Sequence, residues 1–256
     1  AVFHYNAEVE HIHTHNGLAR GISLNGQMME ADLILSTGDY HHTESALLEE
    51  KDRSYSEKYW KKRKMAPSAL LFYIGLNKRI NGLLHHNLFF DEDFDRHAEE
   101  IYKTPKWPEK PAIYVSCSSK TDSGVAPSGF ENLIVLIPVA PGLTDSEEIK
   151  KRYFDMSIDR IEKLIGESLR QHIVYKRMYA HSDFSVDYHA FQGNAYGLAN
   201  TLDQTAIFRP SLRSRKLKNL FYAGQLTVPG PGVPPAIISG YVASRQIDAY
   251  LKSTSL

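Results

Sequence analysis

The chain has 256 residues, enough for one large domain or two ordinary ones. It is 42% hydrophobic and 23% charged with a formal net charge of zero, so it offers no global attraction to nucleic acid or an anionic surface, and any partner must be recognised locally. A single cysteine excludes an intrachain disulfide and favours a reducing, cytoplasmic compartment. No apolar run reaches the ~18 residues of a membrane-spanning helix.

Val2 to Ser36 predicts a small β-meander. Asn16–Gly17 and Asn25–Gly26 are tight-turn pairs, flanking a strand over Leu18–Leu24, and Met28–Ala31 gives a third short strand. Asp32–Ser36 is a compact apolar run of the buried-strand kind, ended by Thr37–Gly38–Asp39. Glu44–Lys64 is polar and helical in character, and Ala69–Leu76 reads as a strand after Pro67. Asn77–Pro111 is mixed and yields no element.

Two strands follow, Ala112–Ser116 and Leu133–Val139, around a Gly/Ser/Pro-rich loop. Cys117 ends the first of them and reads as a buried structural thiol, since nothing nearby is built to stabilise a thiolate. Asp145–Ile165 is the clearest helix, with Thr144 or Asp145 to cap it, Glu147 and Glu148 in its first turn, and Ile149, Tyr153, Met156, Ile161 and Ile165 on one face. Ile173–Met178 reads as a strand, Ser182–Tyr188 as a short helix capped by Ser182, and Asn219–Ala223 as the last strand. A Gly/Pro loop and a helix over Pro234–Lys252 complete the chain. The fold class is therefore mixed α+β or α/β. One discontinuous domain comes from residues 1–45 and 205–256, and a sheet-and-helix insertion from residues 46–204.

Two smaller patterns carry possible chemistry. His11, His13 and His15 alternate, so on a strand they share one face; with no carboxylate or cysteine at ligand spacing they read as hairpin surface rather than a metal site. Lys58–Lys64 mixes basic and aromatic residues. It reads as a solvated helix face, with contact to an anionic membrane surface as the functional alternative.

The most informative stretch is Asn219–Ser244. An apolar strand ends at Gly224, a loop carrying Gly230, Gly232 and prolines 229, 231, 234 and 235 follows, and then a helix rich in small residues begins. Such a junction turns backbone N–H groups and a positive dipole end toward an anion, and glycines let a planar or phosphorylated ligand approach the backbone. A rigid connection in an α/β domain is the plainer alternative.

Asn219–Gly224 followed by Thr227–Pro234, with Phe208–Arg209–Pro210 and Phe191–Leu198 upstream, resembles the C-terminal flavin motif of bacterial-type phytoene desaturases. Asn6–Val9 and Ala31–Asp39 are similar to the same family's course further upstream. The resemblance implies a partial FAD-binding domain of the two-dinucleotide-binding type, with an inserted substrate domain. It implies FAD contacts at Val9, Thr37, Gly38, Gly224, Gln225, Gly232, Val233 and Pro234. Of these, Val9 would meet the adenine through its backbone, Thr37–Gly38 would pass near the ADP portion, and Gly224–Gln225 would lie near the pyrophosphate and ribityl chain. Gly232–Pro234 would border the isoalloxazine. Many relatives carry an acidic residue where this chain has Gln225.

The implied activity is desaturation of a long apolar isoprenoid such as phytoene, with hydride passing to flavin N5; no catalytic acid or base is nominated. The implied setting is cytoplasmic, peripheral to the inner face of the membrane. The competing readings are another flavin oxidase of the superfamily (an amine oxidase or a retinol-saturase-like protein) and a non-catalytic domain without flavin. No GxGxxG follows a strand near Ala1, where the chain enters strand-like sequence without an initiator Met. The chain is accordingly expected to be the C-terminal portion of a longer protein, inactive and nearly devoid of FAD by itself. Titrating the 256-residue chain with FAD checks this: weak or no binding is expected, and a stoichiometric yellow complex contradicts it.

Overall fold

The structure is a computed structural model that describes residues 1–254. The chain divides into two compact units: Ala1–Ala66 with Tyr188–Phe191 and the chain from Tyr196 onward, and Pro67–Asp187 with Gln192–Ala195.

The first unit opens with an antiparallel meander of β1 (Val9–His15), β2 (Leu18–Leu24) and β3 (Gln27–Glu30). Both turns have the sequence Asn-Gly, and both residues of each take positive φ (51° and 71° at Asn16–Gly17, 50° and 73° at Asn25–Gly26). That geometry matches the twist of the flanking strands, and Asn and Gly tolerate it at least cost. Ile12 and Ala19 turn inward and are buried. The rings of His11 and His13 lie 5.0 Å apart, but the register shifts between His13 and Thr14, which takes His15 out of the simple alternation.

A short parallel pair follows, β4 (Ile34–Ser36) with β10 (Leu220–Tyr222). All three residues of β10 are buried, whereas β4 is only half-buried and Leu35 is 39% exposed. The run that reads as a buried strand is thus covered on fewer sides than its apolar composition suggests, because β4 pairs with β10 alone among the described residues.

Asn219 ties this pair to the meander. Its amide donates to the carbonyls of Ala19 and Asp32, both at 2.8 Å, and its oxygen accepts the Ala19 N–H at 2.8 Å.

The expected helix over Glu44–Lys64 is instead three pieces. Helix α1 (Tyr40–Ala46) is capped by Asp39, whose carboxylate accepts from His42 N–H at 3.0 Å. A 3-10 turn covers Glu50–Asp52, and α2 (Glu57–Lys61) is capped by Ser56. The cause lies in the aromatic residues. Trp60 is 1% exposed and packs with Tyr40, Tyr55 and Tyr222, and the Tyr40 and Tyr222 rings stack 3.7 Å apart. Lys58, Lys61, Lys62 and Lys64 remain exposed. This packing also carries the first unit to Ala66, beyond the boundary expected at residue 45. Helix α6 (Val233–Thr254) completes the unit.

The second unit is a five-stranded antiparallel sheet in the order β6-β7-β8-β5-β9, formed by β5 (Ser68–Leu76), β6 (His86–Phe89), β7 (Ile113–Ser116), β8 (Glu131–Val139) and β9 (Ile173–Tyr179). Strands β5 and β8 alternate buried and half-buried residues with period two, as a sheet with one covered face requires. The cover is α4 (Glu147–Ile165), which buries Tyr153, Phe154, Ile158 and Ile161 in the same cluster as Phe72, Val135 and Ile137. Its cap is Ser146 rather than Thr144 or Asp145, and Gly166 at φ 72° ends it. Strand β6 and helix α3 (Phe94–Tyr102) occupy the stretch that yielded no element in sequence. In α5 (His181–Tyr188), Ser182 lies inside the helix and its hydroxyl donates to Asp145.

Cys117 is fully buried, its thiol lies 3.4 Å from Glu131 Oε2, and burial pushes its pKa up to about 11. Glu131, also buried, is held by Lys120 at 2.6 Å.

Two buried histidines make this unit acid-sensitive. His97 Nε2 lies 2.8 Å from the Pro138 carbonyl while Nδ1 accepts the Ala112 N–H at 3.1 Å, so only the neutral ring satisfies both bonds. His181 bonds the Ala140 carbonyl at 2.7 Å. Burial lowers both from the ordinary value of 6.5. Below about pH 6.5 the unfolded chain therefore takes up protons that the folded unit resists, and stability falls with pH until the folded values are reached. Urea unfolding followed by Trp107 fluorescence is expected to show this slope. His97→Gln is expected to reduce it by up to about 1.4 kcal/mol per pH unit, the value for one proton.

In the first unit, Asn219→Ala removes the side-chain partner of the buried Ala19 N–H and carbonyl and of the part-buried Asp32 carbonyl, and is expected to cost about 2–4 kcal/mol. Urea unfolding in a Trp107→Phe background, read through Trp60, measures it.

Candidate functional site

Strands β4 and β10 run in the same direction, so their C-terminal ends lie side by side: Ser36 pairs with Tyr222, and Ala223 N–H donates to Ser36 O at 3.0 Å. The chain leaving β4 carries Thr37 and Gly38, and the chain leaving β10 carries Gly224 and Gln225. A crevice beyond the carboxyl ends of parallel strands is the usual ligand position in such sheets. Four of the sequence-nominated residues are thus brought to one place. Gly232, Val233 and Pro234 form the end of the following loop and the start of α6. Val9 lies elsewhere, in the meander opposite Leu24.

The loop's shape depends on its glycines. Gly224 has φ 117° and Gly232 φ 105°, conformations that side-chain-bearing residues rarely adopt. A Cβ at Gly224 would meet only the Thr37 carbonyl, at 3.8 Å. Neighbouring packing therefore leaves room there, and the backbone conformation is what demands glycine. Inside the loop, Thr227 donates from both its N–H and its hydroxyl to Gly224 O, at 3.1 and 2.8 Å.

The backbone donors differ from the sequence expectation. Gly224 N–H is already used, donating to Ser239 Oγ at 2.8 Å, and Ser239 in turn donates to Ala236 O. Pro234 and Pro235 have no N–H, and Ala236 N–H donates to Gly232 O. The first turn of α6 consequently offers an anion the helix dipole and the Val233 N–H rather than a nest of amides. Ser239 and Ala243 are buried against the loop and β10 side of the helix, while Val233, Ile237 and Tyr241 form an apolar face that is 73%, 69% and 65% exposed.

At the other side of the crevice, Asp39 caps α1 and also accepts from Phe191 N–H at 3.2 Å. Burial raises its pKa, and the bonds from His42 and Phe191 oppose the rise. His42 stacks on His189 at 3.9 Å, and its pKa is lowered by burial first and by His189 second.

Sequence reasoning missed two supports of the loop. Arg209 and Ser239 both bond its backbone; the Phe-Arg-Pro triplet and the small-residue pattern marked their positions, yet neither pattern indicates which carbonyl or amide is reached.

Comparison with known proteins gives the arrangement a family. Residues 1–248 match the family of flavin containing amine oxidoreductases. The chain belongs to this family. It is 41% identical over 235 residues to a carotenoid 3,4-desaturase of Haloarcula japonica, covering 92% of this chain and 48% of that protein. It is 32% identical to a zeta-carotene-forming phytoene desaturase of Myxococcus xanthus, covering 96% of this chain and 48% of that protein. An oxidoreductase structure from Methanosarcina mazei shares the fold with a TM-score of 0.59 at 16% identity, over 93% of this chain and 49% of that one. The chain spans about half the length of the curated relatives it matches.

The family's flavin, FAD, fits the residues present. A Cβ at Gly224 or Gly38 would make only ordinary contacts, at 3.8 and 4.0 Å, the loop is fixed by its own bonds, and a helix dipole lies beside it. Gly224→Ala is expected to destabilise the first unit by about 1–3 kcal/mol through backbone strain alone. Urea unfolding without added flavin measures that cost.

Proposed function

We propose that this chain supplies one wall of an FAD site and the substrate-binding portion of a carotenoid-type desaturase. The observation that carries the reading is the parallel β4–β10 pair, which sets Thr37–Gly38 beside Gly224–Gln225 at the start of a glycine-proline loop leading into α6. The named functions of the 41% and 32% identical relatives support the substrate class.

In this reading Thr37, Gly38, Gly224 and Gln225 flank the nucleotide and ribityl part of the cofactor. Gly232, Val233 and Pro234 border its ring, and Val9 lies toward the adenine. FAD, when bound, would supply the two-electron acceptance for removing two hydrogens from a C–C single bond next to a polyene, one as hydride and the other as a proton. The chain's own residues position and enclose. The α6 dipole favours negative charge at the ring, and the apolar face of Val233, Ile237 and Tyr241 excludes water there. The domain formed around residues 46–204 by sequence, centred on the five-stranded sheet, is assigned to the apolar isoprenoid.

Such a substrate dissolves in lipid, and the exposed lysines at 58, 61, 62 and 64 suit contact with an anionic inner-membrane surface. No helix among the described residues is long and apolar enough to cross a membrane.

Anaerobic mixing of the flavin-loaded protein with acyclic carotenoids in liposomes tests the reading. Bleaching of the flavin with a red-shifted polyene product is expected, and amines are expected to leave the flavin oxidised. Absence of flavin in the longer protein of which this chain is expected to be part, or bleaching by amines alone, rejects it. Separately, Lys61/Lys62/Arg63/Lys64→Ala is expected to lose at least half of the binding to anionic liposomes in flotation; equal binding removes the membrane contact.

A further inference from the structure

Arg209 is 4% exposed, and among the described residues its guanidinium bonds only neutral groups. One terminal nitrogen, Nη2, donates to Leu198 O at 3.0 Å and Asn200 Oδ1 at 2.6 Å. The other, Nη1, reaches Gln225 O at 3.4 Å, and the buried Nε has no partner. A Cβ at Gly230 would lie 3.0 Å from Nη2. The guanidinium therefore bonds the Gly224–Gly232 loop at the Gln225 carbonyl, leaves little room for a side chain at Gly230, and ties the loop to the 198–200 segment.

Burying a cation without a counter-ion costs several kcal/mol, and an apolar side chain of similar volume avoids that cost. Burial pulls the Arg209 pKa down with no charged neighbour contributing, yet an arginine stays protonated in a protein. The site thus holds a fixed positive charge that three neutral acceptors solvate and none neutralises. In a poorly screened interior, that charge favours an anion bound against the same loop.

We infer that Arg209 is a positioning residue of the flavin site, locking the Gly224–Gly232 loop in shape and providing the charge that favours the anionic, reduced flavin. The inference rests on the proposed flavin reading. Two substitutions separate shape from charge: Arg209→Met removes both the fork and the charge, and Arg209→Lys keeps the charge with fewer directed donors. FAD dissociation constants and flavin midpoint potentials are measured on the longer protein of which this chain is expected to be part, with amide exchange over residues 224–230 as a flavin-independent readout.

For Arg209→Met the expected result is at least tenfold weaker FAD binding, a more negative potential and faster exchange in the loop. For Arg209→Lys the wild-type potential is expected to return while affinity recovers only in part. Asn200→Ala, which removes one exposed partner of the guanidinium, is expected to weaken FAD binding without moving the potential; it covers the case in which Arg209→Met does not fold. Binding within twofold of wild type with unchanged potential and exchange in Arg209→Met overturns the inference and leaves the flavin reading standing. A lysine variant whose potential stays at the methionine value overturns the role of charge. A longer wild-type protein purified without flavin removes the flavin reading, and the inference falls with it.

Discussion

Three parallel residue pairs, Ile34 with Leu220, Leu35 with Phe221 and Ser36 with Tyr222, join segments from opposite ends of the chain. Parallel strands cannot be joined by a tight turn, and here the connection contains the whole five-stranded unit. So short a ladder contributes few hydrogen bonds, and its register has to be held from outside. Asn219 does this at one end by bonding the backbone on both sides, at Ala19 and Asp32. Ala223 N–H extends the ladder at the other end by bonding Ser36 O. Everything in the crevice inherits its position from that register, because a one-residue slip would move Gly224 away from Thr37 and exchange the two sides on which the β10 residues are buried.

The core under the ladder is unusually polar in its edges. Tyr222 stacks on Tyr40 and gives its hydroxyl to Glu44, which also accepts the N–H groups of Ser54 and Tyr55. Burial raises the Glu44 pKa, and these hydrogen bonds oppose the rise. The carboxyl thus joins α1, the segment before α2 and β10 through one side chain, and the aromatic rings fill the volume around it. Satisfied networks of this sort cost little and fix one arrangement, whereas a missing partner leaves a buried polar group exposed to no solvent. The crevice is consequently built on a rigid floor, while its walls at Thr37, Gly38 and α6 face outward.

How much of this was legible follows from which residues carry local signals. Asn-Gly pairs mark hairpins by backbone conformation alone, and both turns of the meander stand where the sequence put them. The period-two alternation of β5 and β8 and the apolar face of α4 are equally local. The break between α1 and α2 was hidden, because the charged residues around Trp60 suggest a solvated helix, whereas the ring is buried against Tyr40, Tyr55 and the distant Phe191. β6 and α3 were hidden for a related reason: their exposed Leu88 and Phe94 interrupt the periodic patterns that betray an element. At the site, glycine and proline positions announced the loop and its ligand class. The pairing of Gly224 N–H with Ser239 could not be read, since a serine in a small-residue helix looks like a packing choice.

The occupation of that amide changes how the site works. A flavin wall made from free backbone donors would bind anions through many directed bonds, as glycine-rich turns before helices commonly do. Here Ser239 takes Gly224 N–H, two prolines remove donors from the first turn of α6, and Thr227 bonds back to Gly224. In the proposed reading, what remains for the ligand is shape, the helix dipole, the Val233 N–H and the buried Arg209. Dipole and charge act over distance and respond to how much negative charge the ligand carries, whereas a directed bond responds mainly to where an atom sits. In the proposed reading, a wall of this kind would respond more to a ligand's charge state than to its pose. That property suits a cofactor whose charge changes during turnover, with placement left to contacts elsewhere in the fold.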